Sequence, residues 1–240
     1  MPRLEACYFV KPDQAYWRRM ARVLEHTAAE HCAGWQVRVE ELAAPELEGS
    51  RSFVANTHKL DHFCALVEAA EDGTELLLID ADTMILQPLG DVWAQDFDLA
   101  YTVRKHTFPF NLGVVFMRVS EPVRVFMRVW RDENRRFFFD DKAHRPARQR
   151  YGGINQASFG HLLETGALAG LRLHTLPCEE WNCEDTSWPR FDPRTTRILH
   201  AKSAMRQALF RAYPVRPEFA KAMHWYRAAE ASINTMTRTA

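Results

Sequence analysis

Asp80 and Asp82 stand one residue apart, directly after the apolar run Leu76-Leu77-Leu78-Ile79. A buried strand that ends in two carboxylates is an arrangement for holding a divalent cation. Alternation turns both side chains to one face of an extended segment. The strand's end then delivers them to the crevice where α/β proteins bind ligands. Two carboxylates bind a hard cation far better than one, and they leave coordination positions for water and phosphate oxygens. The same tripeptide also occurs at plain strand–turn junctions where two acids simply meet water, so the pair alone does not decide the matter.

The elements needed to position such a pair are legible on both sides of it. Residues 5–10 hold a short apolar run that suits a first core strand. Tyr16–His31 carries Trp17, Met20, Leu24 and Ala28 at helical spacing, with Gly34 as its stop. Residues 35–39 alternate as a second strand. Asn56-Thr57 offers capping chemistry for a helix whose face is Leu60, Phe63, Cys64 and Val67, and Asp72-Gly73 breaks it. This β-α-β-α-β opening predicts an α/β fold with a parallel sheet and crossover helices.

Beyond the acids, residues 99–103 and 112–116 read as further strands. Glu121 to about Phe139 reads as a helix with Val123, Phe126 and Trp130 on one face. Gly152-Gly153 leads into another helix from Ile154. Residues 171–176 and 196–200 look like late strands, and Pro217 opens a terminal helix where a first turn tolerates proline. No repeat, low-complexity tract or linker is visible, so one domain is expected over residues 1–240, with residues 211–240 as a C-terminal helical extension.

Bulk properties exclude several classes. Basic and acidic residues balance at 31 each, so no overall field points to nucleic acid or to an anionic membrane. Five cysteines, an odd number with no C-x-x-C, predict reduced thiols; Cys178 and Cys183 have the wrong spacing for a metal or redox pair and read as buried structural residues. No secretory signal and no apolar run of about 20 residues is present, which predicts a cytoplasmic protein with no membrane span.

Five segments in register resemble one family, the GT-A-fold glycosyltransferases, and within it the glycogenin-like and bacterial galactosyltransferase-like group. Leu77 to Leu86, with Pro88-Leu89 and Trp93 after it, looks like that group's D-x-D region. Asn111-Leu112-Gly113-Val114 is similar to its "N-x-G-V" strand, and Gly153-Ile154-Asn155-Gln156 to its "D-Q" helix start. Leu176-Pro177 followed by Trp181-Asn182 resembles its "L-P-x-x-x-Y/W-N" element. Ile198-Leu199-His200-Ala201-Lys202 looks like its C-terminal histidine motif.

The resemblance implies a GT-A-like (Rossmann-like) domain with a mostly parallel central sheet flanked by helices. It also implies a metal-dependent hexosyl- or pentosyltransferase that uses a nucleoside-diphosphate sugar as donor. Such a donor leaves as a diphosphate, and Mn²⁺ or Mg²⁺ neutralises the charge that develops as the glycosidic bond breaks. By resemblance, Asp80, Asp82 and His200 ligate the metal, and Asp80 also reaches the ribose. Imidazole beside carboxylates favours Mn²⁺ over Mg²⁺. Lys202, two residues beyond His200 on the same face, is a candidate for a phosphate oxygen. Asn56 and Lys59 lie near the nucleotide, with Ala81 and Gly113 in the same donor-binding set. Asn111 and Gln156 read sugar hydroxyls, for which amides are suited because they both donate and accept. Asp80, Asn155 and Gln156 form the candidate catalytic set.

The departure from the group's pattern is Asn155, where an aspartate is usual. It leaves no carboxylate nucleophile in that motif. With retention, Gln156 only steadies an oxocarbenium-like centre while the leaving phosphate assists the acceptor. With inversion, a base must come from elsewhere, and Glu179, Glu180, Glu184 and Asp185 are the nearby acids, although a run of acids in a loop is usually a solvated face.

Rival readings are a haloacid-dehalogenase-type phosphatase, a nucleotidyltransferase and an inactive nucleotide-sugar-binding domain. The phosphatase needs Thr or Val two residues after the second Asp, where Met84 stands. The nucleotidyltransferase needs a glycine-rich loop after the first strand, and residues 11–15 hold no glycine. Residues 131–150, with seven basic against four acidic residues and Phe137-Phe138-Phe139, are a candidate basic acceptor loop for a phosphorylated or nucleic-acid acceptor, such as a hydroxymethylated base in phage DNA. The simpler account of that segment is a helix with a solvated basic face whose phenylalanines enter the core.

Overall fold

The computed structural model describes residues 1–10, 15–43, 51–210 and 216–239. The strands in chain order are β1 (Arg3–Phe9), β2 (Gln36–Leu42), β3 (Glu75–Asp80), β4 (Thr83–Ile85), β5 (Leu99–Val103), β6 (Phe110–Arg118), β7 (Leu173–Pro177) and β8 (Ile198–His200). Six form a central sheet in the order β2-β1-β3-β6-β5-β7, and β4 and β8 form a separate two-stranded sheet. Parallel pairing joins β1 to β2 and β3, and β5 to β7; β6 alone runs against its neighbours β3 and β5. The expected mostly parallel sheet therefore has one reversed strand beside the acids.

The helices are α1 (Tyr16–His31), α2 (Arg51–Ala69), α3 (Glu121–Phe139), α4 (Asp141–Tyr151), α5 (Ile154–Glu164), α6 (Cys178–Trp181), α7 (Ser203–Phe210) and α8 (Ala220–Thr239). Alternation along the central strands feeds two apolar layers. Leu76 and Leu78 of β3 with Val115 and Met117 of β6 pack under α2, α3 and α5, against Leu60, Val67, Trp130 and Phe159. Leu77 and Ile79 with Val114 and Phe116 point the other way, against Leu24 and Ala28 of α1. Both faces of the sheet are covered, which is why β3 reads as an unbroken apolar run rather than an alternation. A third layer joins Met20 and Val23 of α1 to Phe219, Met223 and Tyr226 at the C-terminal end.

Four sequence expectations need correction. The helix expected from a cap at Asn56-Thr57 starts at Arg51, so both residues lie within α2 and Thr57 is buried. Residues 131–150 are not a loop: they are the last turns of α3 and most of α4, which opens on the Asp140 carboxylate accepting from the amides of Lys142 and Ala143. Pro146 does not prevent α4 from forming. Of the three phenylalanines, Phe137 is 1% exposed, Phe138 packs half-buried against the same cluster and Phe139 is 77% exposed, so the run enters the core only in part. The strand β4, too short to show a period, was not foreseen, and β8 pairs with it instead of joining the central sheet. Residues 211–215 of the expected C-terminal extension lie outside the described residues; residues 217–219 form a short 3-10 turn before α8.

One glycine is required by this packing. A Cβ on Gly160 of α5 would stand 2.5 Å from Tyr151 Cγ and 2.6 Å from its Cε2. The Tyr151 ring cannot withdraw, because it stacks on Phe110 at 5.2 Å and its hydroxyl donates to Glu164 at 2.6 Å. Gly160→Ala is expected to destabilise the protein by about 1–3 kcal/mol through overpacking, measured by urea denaturation.

Candidate active site

The site is built where β3 ends. Asp80 is its last residue, and the chain turns through Ala81 and Asp82 into β4, with the Thr83 hydroxyl donating to the Asp80 carbonyl at 2.7 Å. The short sheet brings in the third ligand candidate from far along the chain. Thr83 pairs with His200 in the β4–β8 ladder, and the Ala201 amide donates to the Asp82 carbonyl at 2.8 Å. His200 Nε2 consequently lies 3.2 Å from Asp82 Oδ1 and 3.6 Å from Asp80 Oδ2. One ligand atom from each of the three residues falls within 4.8 Å of the others. Two carboxylates and an imidazole in that span are a donor set that fits a divalent cation.

The outward atoms of these three residues are each held. Lys59 of α2 bonds Asp80 Oδ1, and Arg206 of α7 bonds Asp82 Oδ2 at 2.7 Å. His200 Nδ1 lies 2.8 Å from Asn182 Oδ1. Burial pushes the Asp82 carboxyl up, but His200 and Arg206 outweigh it and hold the group below the usual carboxylate range. Burial likewise pulls Lys59 down, and the Asp80 charge more than reverses it. Gly113 is required at close quarters: a Cβ there would stand 2.6 Å from His200 Cε1 and 2.8 Å from Asp80 Oδ2.

These groups line a cleft of about 460 Å³, a size usual for small-molecule sites. Asn56, Lys59, Ala81, Asn111, Gly113 and Gln156 all line it, as do Asn155 and Lys202, whereas the candidate bases Glu179, Glu180, Glu184 and Asp185 do not. Asn111 is nevertheless committed to the backbone: its Oδ1 accepts from the Gly113 amide at 2.8 Å. Asn155 is anchored by donating from Nδ2 to the Asn56 carbonyl at 3.1 Å, while its buried Oδ1 has no partner among the described residues. Gln156 donates from Nε2 to the Tyr151 carbonyl at 2.6 Å. The position of α2 is set by a buried chain in which Asn134 donates to Thr57 and Ser158 donates to Asn134.

Lys202 does not stand free on the cleft wall. Its Nζ is 2.9 Å from Glu184, which is fully buried and also pairs with Arg104 at 2.5 Å and accepts from the Thr186 hydroxyl. Glu184 is therefore no part of a solvated acidic face. Burial raises its carboxyl, but the hydrogen bond from Asp185 and the charges of Lys202 and Arg104 hold it well below the usual range. Burial and that same hydrogen bond push Asp185 up to about 6. Glu179 and Glu180 pair with Arg190 and Arg197.

Sequence reasoning missed Arg206, Tyr8, Tyr16 and Trp17, all on the cleft. Arg206 stacks over the Trp17 ring at 4.7 Å. Its only sequence signal is its place four residues beyond Lys202, one helical turn away in α7. Ser203, which opens that helix, has φ 48°, a left-handed conformation uncommon outside glycine. Cys7 also faces the cleft, but burial pushes its thiol up to about 12, so it is no thiolate nucleophile at neutral pH.

Two variants test this geometry. Gly113→Ala is expected to weaken Mn²⁺ binding about tenfold or more, since displaced ligands cost affinity on that scale, with the fold retained by circular dichroism. Glu184→Ala leaves Arg104 and Lys202 without their shared partner and is expected to cost about 3–5 kcal/mol, read from the denaturation midpoint.

No protein-family model matches the sequence, and no curated protein matches it. Solved structures do. A glycosyltransferase involved in glycosylation of the major capsid of PBCV-1 matches with a TM-score of 0.59 at 12% identity, over 86% of this chain and 97% of that one. The glycosyltransferase GlyE of Streptococcus pneumoniae TIGR4 matches at 0.61 and 11% identity, over 98% of this chain but only 64% of its own length. The galactosyltransferase LgtC, in complex with donor and acceptor sugar analogues, matches at 0.55 and 12% identity, over 96% of this chain and 95% of that one. With the sheet order, the reversed β6 and the Asp80-x-Asp82 pair beside His200, these matches give the chain the fold of the GT-A glycosyltransferases.

Proposed function

We propose that the protein is a metal-dependent glycosyltransferase that moves a sugar from a nucleoside-diphosphate donor to an acceptor hydroxyl. The observation that carries this reading is the convergence of Asp80 Oδ2, Asp82 Oδ1 and His200 Nε2 at the end of β3, inside the cleft. These three residues would hold the cation, and the nitrogen ligand favours Mn²⁺ over Mg²⁺. When bound, the metal supplies Lewis-acid stabilisation of the departing diphosphate.

The chain's own residues account for the remainder. Lys59, Lys202 and Arg206 line the cleft, each paired with a carboxylate, and a polyanionic leaving group would draw on their remaining N–H donors. Tyr8, Tyr16 and Trp17 offer aromatic surface for the nucleoside. Asn155 Oδ1 and Gln156 form an amide wall that accepts from and donates to sugar hydroxyls. Asp80 and Asp82 are the only carboxylates lining the cleft among the described residues. With both engaged as metal ligands, no carboxylate of the described residues on the cleft is free to form a covalent glycosyl–enzyme intermediate. The acceptor oxygen then bonds to the anomeric carbon as the bond to the diphosphate breaks, and the acceptor proton passes to the departing diphosphate.

The acceptor is a hydroxyl compound of unspecified class. A DNA acceptor gains no support from α4, whose Arg145 and Arg148 pair with Asp141 while Arg150 pairs with Glu164. A phosphatase reading is disfavoured by the strand's place third in the chain and by His200 beside the acids. Among the described residues no helix is long and apolar enough to cross a membrane.

Calorimetric titration with a panel of nucleoside diphosphates, with Mn²⁺ or with excess chelator, tests the reading. One nucleotide should bind only with metal, and Asp82→Asn and His200→Ala should each weaken that binding by about 100-fold, or about 2.7 kcal/mol. Equal affinity in chelator, or unaltered affinity in both variants, would overturn it.

A further inference from the structure

Asn182 is fully buried and takes no part in the donor chemistry above, yet it makes the closest hydrogen bond to His200. It follows α6, where Trp181 is wedged edge-on against Phe116 at 5.6 Å under the Arg197 guanidinium. On its other side Cys183 is stitched to β8, donating to the Ile198 carbonyl at 2.8 Å and accepting from the His200 amide at 2.9 Å. Residue 182 is therefore fixed between two anchored neighbours, with its side chain between β5, β6 and the imidazole.

The hydrogen bonds decide which way the amide faces. Nδ2 lies 2.8 Å from Thr102 Oγ1 and 3.3 Å from the Asn111 carbonyl. A main-chain carbonyl only accepts, and the Thr102 hydroxyl spends its one proton on that same carbonyl at 2.6 Å. Both groups therefore meet the amide as acceptors, the Thr102 oxygen with its proton spent and the Asn111 carbonyl on its second lone pair, and only the NH₂ end of the amide can donate to them. The Oδ1 end must then face His200, and since an amide oxygen only accepts, Nδ1 must carry a proton. Nε2 is left as the ring atom that faces Asp80 and Asp82.

We propose that Asn182 is a positioning residue of the metal centre: through Thr102 and the Asn111 carbonyl it locks the proton of His200 on Nδ1, so that Nε2 is presented to the cation. This rests on the reading of Asp80, Asp82 and His200 as a metal site. Asparagine suits the position where near relatives do not. Aspartate would set a carboxylate against two acceptors, and alanine would leave Nδ1 unpartnered and the ring free to turn. Outer partners that fix a ligating histidine in this way typically govern metal affinity as well as orientation.

The test combines ¹⁵N-histidine NMR with calorimetric Mn²⁺ titration, using Zn²⁺ as the diamagnetic probe in the spectra. In the wild-type protein, Nδ1 should keep its proton when Zn²⁺ is added, and the Nε2 resonance should shift. Asn182→Ala should weaken Mn²⁺ binding about 10–100-fold and lose the single Nδ1–H form. If that variant does not fold, Thr102→Val, which removes one of the two acceptors orienting the amide, should weaken Mn²⁺ several-fold. A purely structural role would lower the melting temperature without altering the ring nitrogens. A wild-type protein that binds metal through Nδ1, or a folded Asn182→Ala that binds Mn²⁺ as tightly as wild type, overturns the positioning role alone. A wild-type protein that binds neither metal overturns the metal reading, and this proposal with it.

Discussion

Asp80 and Asp82 lie side by side at the end of a core strand, and Asp82 is only 4% exposed. Holding two like charges together away from water costs several kcal/mol per ion unless each is compensated. Much of the surrounding architecture follows from this. Lys59 answers Asp80 from α2 and Arg206 answers Asp82 from α7, while the His200 imidazole stands between the two acids from β8. The two cations approach from different elements, and each bonds the oxygen that points away from His200. The arrangement cancels charge at the back of the carboxylates and leaves their inner oxygens facing the imidazole and the cleft.

Compensation at fixed positions requires fixed elements. The α2 helix is tied to α3 by the Asn134–Thr57 bond and to α5 through Ser158 and Asn155, all in the interior. The α7 helix starts directly after the β8 strand that carries His200, so Lys202, Ser203 and Arg206 follow the histidine along one wall. The Arg104–Glu184–Lys202 ion group joins that wall to the turn after β5. Such a buried group is weak evidence for stability, since its desolvation cost is large. Its plain effect is geometric: it fixes where the Lys202 ammonium sits.

Much of this is legible in the sequence, and the limits have physical causes. The run from Leu76 to Ile79 announced a strand buried on both faces, and the acids after it announced the site. Trp17, Met20 and Leu24 gave α1, and Val123, Phe126 and Trp130 gave α3, because amphipathic helices with one buried stripe carry a strong period. The strand β4 has three residues and all three are buried, so it shows no alternation to read. The start of α2 was misplaced because Asn56 and Thr57 have capping chemistry, but tertiary partners claim them: Asn155 bonds the Asn56 carbonyl, and Asn134 the Thr57 hydroxyl. Glu184 looked like one of several loop acids because burial by remote partners leaves no local mark. The β6 reversal depends on a hairpin between β5 and β6, and the residues there carry no turn signature stronger than Pro109.

The delivery of His200 shows why so small a sheet matters. Side chains alternate along a strand, so a slip of one residue in the β4–β8 ladder would turn the imidazole to the opposite face. Three independent bonds oppose that slip: Ala201 to the Asp82 carbonyl, His200 to the Cys183 carbonyl, and Cys183 to the Ile198 carbonyl. Behind the ring, Gly113 lets β6 approach where any Cβ would collide with it. The histidine is thus constrained along the strand by backbone pairing, behind by a missing side chain, and about its own axis by the Asn182 amide. An imidazole and two carboxylates brought together from segments this far apart in sequence need constraint in each of those directions, and each comes from a different part of the chain. What the geometry demands is a few backbone relationships and close contacts, and those leave the sequence between them largely free.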